Sequence, residues 1–328
     1  MVKFKEIDIT RIASVILIVL LHSFAIYTGA WEPPVKFQAI EIYKWIGLLF
    51  SSVAVPSFVF ISGFLFKYQI EQKKWTFIEF ITKKAKRLLL PAIIFGTLYL
   101  LLYNKTYKFS DILEVLNGVA HLWFLPMLFW CFVVSFFLFR LPDKYSLLIA
   151  FLFLFIGGGY LPFCISRMFY YLIYFVVGGI FYSHKVVVKM TSRKQILVGC
   201  LFIILWIVGL LLKRFSDPSL NEMETLLMNR GFHVLRAIYG IAGVIVLFSL
   251  AYRLRNKSLH FISPLTRLSF GIYIYHQFIL VFLYYKTPLS ELVGGYWLPI
   301  VGFLLALILS IILSQLTLKT RFGRYLIE

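Results

Sequence analysis

The segment from Asp8 to Tyr27 decides the fold class, and its sequence is DITRIASVILIVLLHSFAIY. It carries a basic residue, Arg11, near its start and a histidine, His22, deep within an otherwise apolar run. On a single helix the steps between these two residues rise about 16 Å, which is about half the thickness of a bilayer's hydrocarbon core. The segment therefore predicts a membrane-spanning helix with Arg11 at one boundary and His22 near the midplane.

The predicted depth of His22 allows two interpretations. An ionisable side chain far inside a membrane is costly, so it normally faces the interior of a helix bundle or a watery cavity and is a functional candidate. The alternative is a structural histidine that forms a hydrogen bond with a neighbouring helix. Position alone leaves both open.

Composition extends the membrane assignment to the whole chain. Hydrophobic residues make up 61% of the sequence and charged residues only 14%, which excludes an ordinary soluble globular protein. The formal net charge of +19 fits the accumulation of Lys and Arg on the cytoplasmic side of membrane proteins, so no nucleic-acid partner is implied. Cys131, Cys164 and Cys200 have no spacing typical of a metal site or a disulfide framework.

The apolar runs predict an all-α integral membrane protein, a bundle of about ten transmembrane helices. The predicted spans are 12–29, 46–66, 88–104, 122–139, 145–161, 168–183, 196–212, 234–252, 268–285 and 297–316. The segments on one side of the membrane hold 23 of the 33 basic residues, which predicts that both termini are cytoplasmic. No connection is long enough for a soluble domain, so we expect a single membrane domain over residues 1–328.

Two polar features lie in or beside the second and third spans. The stretch from Pro56 to Phe64 contains Ser62 and Gly63, whose small size lets either a neighbouring helix or a ligand approach the backbone. The basic run from Lys83 to Arg87 opens the third span. Such a run anchors a protein to anionic lipids or binds a phosphorylated ligand. Arg11 is predicted at the same membrane face, where it would complete a phosphate clamp.

Two more histidines stand at span positions. His121 and Trp123 open the fourth span, where a boundary histidine and an interfacial tryptophan need no special function. In the ninth span, Ser269 to His276 reads SFGIYIYH and places His276 about 12 Å inside the membrane. Arg236 lies near one end of the eighth span. Two interpretations are open for it: its side chain snorkels to the membrane surface, or it has a functional role.

These motifs follow one another in a fixed order over most of the chain. They are Asp8-x-x-Arg11 with His22 following, Pro56 to Phe64, the basic run ending Lys86-Arg87, His121-Leu122-Trp123-Phe124-Leu125, and Ser269-x-Gly271-Ile272-Tyr273-x-x-His276. In this order they resemble the acyltransferase-3 family of integral-membrane acyltransferases, which modify extracytoplasmic glycans and other acceptors. Ile12 departs from the family pattern, because many members have Gly directly after the arginine. The residue at which the first helix begins is therefore not fixed by the resemblance.

The resemblance implies a stand-alone member, similar to bacterial surface-glycan O-acetyltransferases and to the succinyltransferase of the intercellular adhesin polysaccharide. Such a protein crosses the plasma (inner) membrane several times. It transfers an acyl group, with acetyl the expected group, from cytosolic acetyl-CoA or another acyl-CoA to a hydroxyl of an extracytoplasmic glycan or lipid-linked sugar. Acyl-CoA is then a substrate, and no permanently bound cofactor or metal is expected.

The resemblance also implies roles for individual residues. Arg11, Lys84, Lys86 and Arg87 would bind the phosphates of CoA. His22 would act as the general base on the acceptor hydroxyl, for which an unperturbed pKa near 6.5 is suited, or would form a covalent acyl-histidine. His276, Tyr273 or Ser62 would orient the base or stabilise the oxyanion. The remaining motif candidates are Gly63, His121 and Trp123.

Two other classes of protein fit part of the pattern. A transporter or flippase that exports a glycan would also use many spans and midplane histidines, but every Asp and Glu lies in a connection or at a span edge, which leaves no buried carboxylate relay. A membrane scaffold without enzymatic activity would not need Arg11 and His22 at a fixed spacing.

Overall fold

The computed structural model describes residues 4–35, 39–73, 75–103, 112–157, 159–214, 222–257, 260 and 262–327, and these ranges contain helices and no strand. The helices in chain order are α1 (Lys5–Ser23), α2 (Ala25–Thr28), α3 (Glu41–Gln72), α4 (Phe77–Tyr103), α5 (Ile112–Leu116), α6 (Phe124–Leu138), α7 (Asp143–Ile156), α8 (Ile165–Ser183), α9 (Ser192–Arg214), α10 (Glu222–Leu254), α11 (Ile262–Tyr285), α12 (Leu289–Lys319) and α13 (Arg321–Ile327). Two 3₁₀ turns, Ala120–Trp123 and Val186–Lys189, precede α6 and follow α8.

Eight helices in the described ranges are long and apolar enough to cross a membrane, namely α3, α4, α6 with the preceding 3₁₀ turn, α8, α9, α10, α11 and α12. The protein is therefore a multi-pass, all-helical membrane protein. The other two predicted spans fall on α1 and α7. The first turns of α1 carry several charged side chains, and α7 has only 14 residues, fewer than the ~20 that a straight crossing needs. The count of ten crossings stays a prediction.

Aromatic contacts show how α1 and α3 are oriented. Phe4 packs against Tyr68 near the end of α3, with ring centroids 5.1 Å apart. Phe24 packs against Tyr43 near the beginning of α3, with centroids 5.2 Å apart. The two helices are therefore antiparallel. We call the end of the bundle at which α1 begins and α3 ends the basic end, because the basic run of α4 also lies there.

Small residues allow α3 and α8 to pack closely. A Cβ atom added to Gly63 would overlap the backbone carbonyl of Phe175, and one added to Gly178 would overlap the carbonyl of Phe60. Lipid tails are as apolar as the helix surfaces, so membrane helices associate largely through such close packing. Gly63 therefore serves the contact between α3 and α8.

The helix α1 begins at Lys5, seven residues before the predicted span, and continues without interruption through Arg11 and Ile12. It ends at Ser23, directly after His22. The hydroxyl of Tyr284 donates a hydrogen bond of 2.9 Å to the Ser23 carbonyl, which satisfies one of the carbonyls that a helix end leaves without an intrahelical partner. Helix α11 thereby fixes the end of α1 that carries His22.

Candidate active site

Three histidines from separate elements meet inside the bundle. His22 comes from the last turn of α1, His121 from the 3₁₀ turn before α6, and His276 from the middle of α11. The ring centroids of His22 and His276 are 5.0 Å apart, and those of His121 and His276 are 4.8 Å apart. His121 and His276 are buried, whereas His22 is partly exposed.

Backbone carbonyls assign the protons on the histidine rings. His22 Nδ1 lies 3.0 Å from the Ile18 carbonyl oxygen, and His276 Nδ1 lies 3.2 Å from that of Ile272. A carbonyl oxygen can only accept a hydrogen bond, so both Nδ1 atoms carry a proton. In a neutral His276 ring, Nε2 then accepts a second hydrogen bond from His22 Nδ1, at 3.2 Å.

This assignment leaves His22 Nε2 with a free lone pair. No hydrogen bond joins His22 Nε2 to any residue that the structure describes, and His22 is the partly exposed member of the cluster. His276 Nε2 is occupied by His22, His121 Nε2 donates to the Ile274 carbonyl at 2.9 Å, and His121 Nδ1, which has no hydrogen-bond partner of normal geometry among the described residues, is buried. The arrangement thus presents one accessible imidazole nitrogen that is able to accept a proton.

Tyr273 connects the histidines to a large cavity. Its hydroxyl donates to the backbone carbonyl of His121 at 2.8 Å, and its ring lies 5.3 Å from the His121 ring. The same residue lines a cavity of about 580 Å³ that extends toward the basic end. Along α3 the cavity runs from Gln69 to Phe58, eleven residues or about 16 Å of helical rise.

The two halves of this cavity differ in chemistry. Arg11, Lys84, Arg87 and Arg267 line it toward the basic end, with Asp8 as the acidic member of the lining. The guanidinium of Arg11 lies 3.8 Å from the Asp8 carboxylate. The half nearer the histidines is lined mainly by aromatic and aliphatic side chains, among them Phe58, Phe124 and Tyr273. A ligand with an anionic head and a long, less polar arm matches this distribution.

A family model described as an acyltransferase domain matches residues 4–319, which is nearly the whole chain. The chain belongs to the acyltransferase-3 family. It is therefore a membrane acyltransferase, and the histidine cluster and the cavity lie within the matched region. No curated protein and no solved structure matches the chain.

The structure of this acyltransferase separates the residues of the basic run. Lys84 points into the cavity, where its ammonium lies 3.8 Å from the centre of the Phe132 ring, and Arg87 also lines the cavity. Lys86 is exposed and does not line it. A helix explains the difference, because positions three residues apart share a face and adjacent positions do not.

The remaining motif candidates lie in different surroundings. Ser62 lines the cavity, and its hydroxyl donates to the Phe58 carbonyl at 2.8 Å. Its neighbour Gly63 faces α8 instead. Trp123 contacts neither His22 nor the cavity; its ring stacks on Arg167, at 4.6 Å, and against Tyr171, at 5.6 Å.

Sequence reasoning missed Arg267 as a member of the cavity and named His121 as a candidate without assigning it a role. Arg267 stands two residues before the Ser269 motif and three residues before Phe270, which also lines the cavity, and this helical spacing could have indicated it. The contacts of His121 with His22 and His276 could not be found in this way, because those neighbours come from α1 and α11, which are distant in sequence.

Proposed function

We propose that this protein transfers an acyl group, with acetyl the expected one, from cytosolic acyl-CoA to a hydroxyl of an extracytoplasmic glycan or lipid-linked sugar. The observation that carries the proposal is the cavity that runs from Arg11, Lys84 and Arg87 to Tyr273, beside the histidine cluster. Its basic half suits the phosphates of CoA, since Arg offers a bidentate fork and Lys a point charge. The plasma membrane is the compartment in which both substrates would be available.

The less polar half of the cavity would hold the pantetheine arm. The arm would extend along α3 and α11 and bring the thioester to Tyr273, next to the three histidines. Phe58, Phe124 and Tyr273 narrow this end, with the Phe124 ring 6.0 Å from Phe58 and 5.6 Å from Tyr273. Holding the thioester and the acceptor together in this way supplies a large part of an acyl-transfer barrier, about 7 kcal/mol or more in favourable cases.

His22 Nε2 would be the general base. As the acceptor oxygen attacks the thioester carbonyl carbon, Nε2 takes the hydroxyl proton, the new C–O bond forms and the C–S bond breaks. The departing CoA thiolate then receives the proton from the His22 imidazolium, so the products are the ester and free CoA. The free lone pair on Nε2 is what this step requires.

His276 would assist as a positioning residue. The imidazolium that forms on His22 keeps its Nδ1 proton, which faces the Ile18 carbonyl and His276 Nε2. Both acceptors are in place before the reaction, so they stabilise the positive charge without rearrangement.

The direct test is to incubate the purified protein with radiolabelled acetyl-CoA and a bacterial glycan extract. We expect thioester cleavage that depends on the protein, with label recovered in the glycan as an ester. A transporter or a scaffold would leave the thioester intact. Mass spectra of glycans from cells with and without the gene would then identify the acceptor and the acyl group by their mass difference.

A further inference from the structure

A second group of polar side chains lies between α8 and α10, outside the cavity and the histidine cluster. Arg236 of α10 is exposed, and four tyrosines surround it: Tyr170, Tyr171, Tyr174 and Tyr239. The guanidinium carbon lies 5.7 Å from the centre of the Tyr170 ring. The Tyr170 hydroxyl is buried and has no hydrogen-bond partner of normal geometry among the described residues.

The positive charge of this group is not balanced within the described parts of the chain. Neither Arg236 nor Arg167, which both lie near Tyr171, forms an ion pair with a carboxylate there. An arginine inside a membrane helix without a counter-charge is costly, and such residues usually mark a ligand or ion site. Two guanidinium groups and the Tyr170 hydroxyl are donors suited to a phosphate or a carboxylate.

Aromatic rings connect this group to the histidines. Trp123 packs against Tyr171, and the rings of Tyr171 and Tyr170 are 4.9 Å apart. On its other side Trp123 contacts Phe124, which packs against Tyr273 beside His121. Two contacts show that α10 runs parallel to α3: Gly243 approaches Val53, and Phe248 packs against Phe60, which is nearer the basic end. Arg236 precedes both contact residues of α10, so it lies toward the opposite end of the bundle from the basic cavity. The charge distribution predicts that this opposite end is extracytoplasmic.

We propose that Arg236, Arg167 and the Tyr170 hydroxyl bind an anionic group of the acceptor, a phosphate or a carboxylate attached to the sugar. Trp123 and Tyr171 then offer aromatic faces on which a sugar ring lies on its way to His22. This inference rests on the proposed function, since it assigns a substrate class to the same reaction. A phospholipid headgroup would satisfy Arg236 alone, but it would not use the row of rings that leads to His121.

The test measures binding of two sugars to the purified protein in detergent: glucose 1-phosphate and the uncharged methyl glucoside. We expect the wild type to bind the phosphorylated sugar about ten-fold or more tightly than the uncharged one, because a charge-assisted hydrogen bond is lost without the phosphate. Arg236→Gln should abolish this preference. Arg253→Gln, which removes an exposed arginine from the same helix, should retain it. If Arg236→Gln does not fold, Tyr170→Phe should reduce the preference several-fold.

Equal binding of the two sugars by the wild type, or an unchanged preference in Arg236→Gln and in Tyr170→Phe, would overturn the inference. So would loss of a co-purified phospholipid from Arg236→Gln with no change in sugar binding, which would identify a lipid headgroup site. The proposed function is tested separately by thioester transfer. Phosphate-dependent binding without transfer would count against the function alone, and transfer with binding independent of Arg236 would count against the acceptor site alone.

Discussion

At the scale of single residues, His22 combines partial exposure with a ring nitrogen that makes no hydrogen bond to the described residues, whereas the Nδ1 of His121, also without a partner among them, is buried. Its Nδ1 proton faces Ile18 and His276, and its Nε2 makes no hydrogen bond with the described residues. His276 and His121 each use a ring nitrogen on a backbone carbonyl inside the bundle, and both are buried. Only one member of the cluster is therefore placed to take a proton from an acceptor that enters from outside.

His22→Gln tests this role. Glutamine retains a hydrogen-bonding side chain but cannot take up a proton near neutral pH, so transfer should fall by about 10²- to 10⁴-fold while the donor Kd changes by a few-fold at most. His276→Gln is the matched variant, since the side-chain oxygen of the glutamine can still accept a hydrogen bond from His22 Nδ1. We expect the transfer rate of this variant to fall by about ten-fold or less. A His22→Gln protein that inserts normally and transfers at the wild-type rate would show that His22 only packs.

The basic residues of the cavity carry the second prediction. Arg11→Gln and the double variant Lys84→Gln/Arg87→Gln should each weaken donor binding by about ten-fold or more, because each removes a charge that faces the cavity. The control is Lys83→Gln, which removes an exposed charge of the same run that does not line the cavity. Equilibrium binding of a non-hydrolysable acetyl-CoA analogue is the measurement. Unchanged affinity in the first two proteins would favour lipid anchoring.

These residues also show how far sequence reasoning reaches at this scale. The spacing of Arg11 and His22 requires only one continuous helix, and α1 provides it. Helical spacing could likewise have predicted that Lys84 and Arg87 share a face of α4 and that Lys86 does not. The resemblance instead grouped all three residues. The meeting of His22, His121 and His276 depends on how three separate elements pack, and no local pattern specifies that.

At the scale of helices, the contact between α3 and α8 depends on the absence of side chains. Gly63 of α3 lies against a backbone carbonyl of α8, and Gly178 of α8 lies against a backbone carbonyl of α3. Their contact fixes the face of α3 that carries Ser62 and Phe58 toward the cavity. The sequence alone did not decide whether Ser62 and Gly63 serve helix packing or the reaction. In the structure Ser62 lines the cavity, whereas its neighbour Gly63 faces α8.

Gly63→Ala should therefore destabilise the protein by about 1–3 kcal/mol, since the added methyl group overlaps a backbone atom that cannot move aside without displacing α8. Gly231→Ala is the control, because a Cβ at that helical position meets no atom within 4 Å and alanine favours the helix. The midpoint of thermal inactivation in detergent distinguishes them. If Gly63→Ala were as stable as wild type but bound no donor, Gly63 would belong to the binding site instead.

Apolar runs located the long helices because a bilayer requires about twenty consecutive apolar residues. They do not mark where α1 begins, since its first turns carry Lys5, Glu6 and Asp8 and lie before the predicted span. They could not show that α1 ends directly after His22, because that end is fixed by Tyr284 from α11. Helix ends that depend on distant residues are not visible in a local pattern.

At the scale of the whole molecule, two polar regions occupy opposite ends of the bundle. The basic cavity reaches inward from one end, and the group around Arg236 lies toward the other, with the histidines between them. A donor and an acceptor arriving from opposite sides of a membrane would then meet at His22. This arrangement is consistent with the proposed reaction only if the basic end faces the compartment that supplies acyl-CoA.

The orientation of the bundle is therefore the last prediction. The segments assigned to the cytoplasmic side hold 23 of 33 basic residues, so the C-terminus should lie in the cytoplasm and the short connection between α11 and α12 outside it. Alkaline phosphatase, which is active only outside the cytoplasm, should be inactive when fused to the C-terminus and active when fused after Lys286. Reversed activities would place the basic cavity on the side without acyl-CoA, and the donor path proposed here would be wrong.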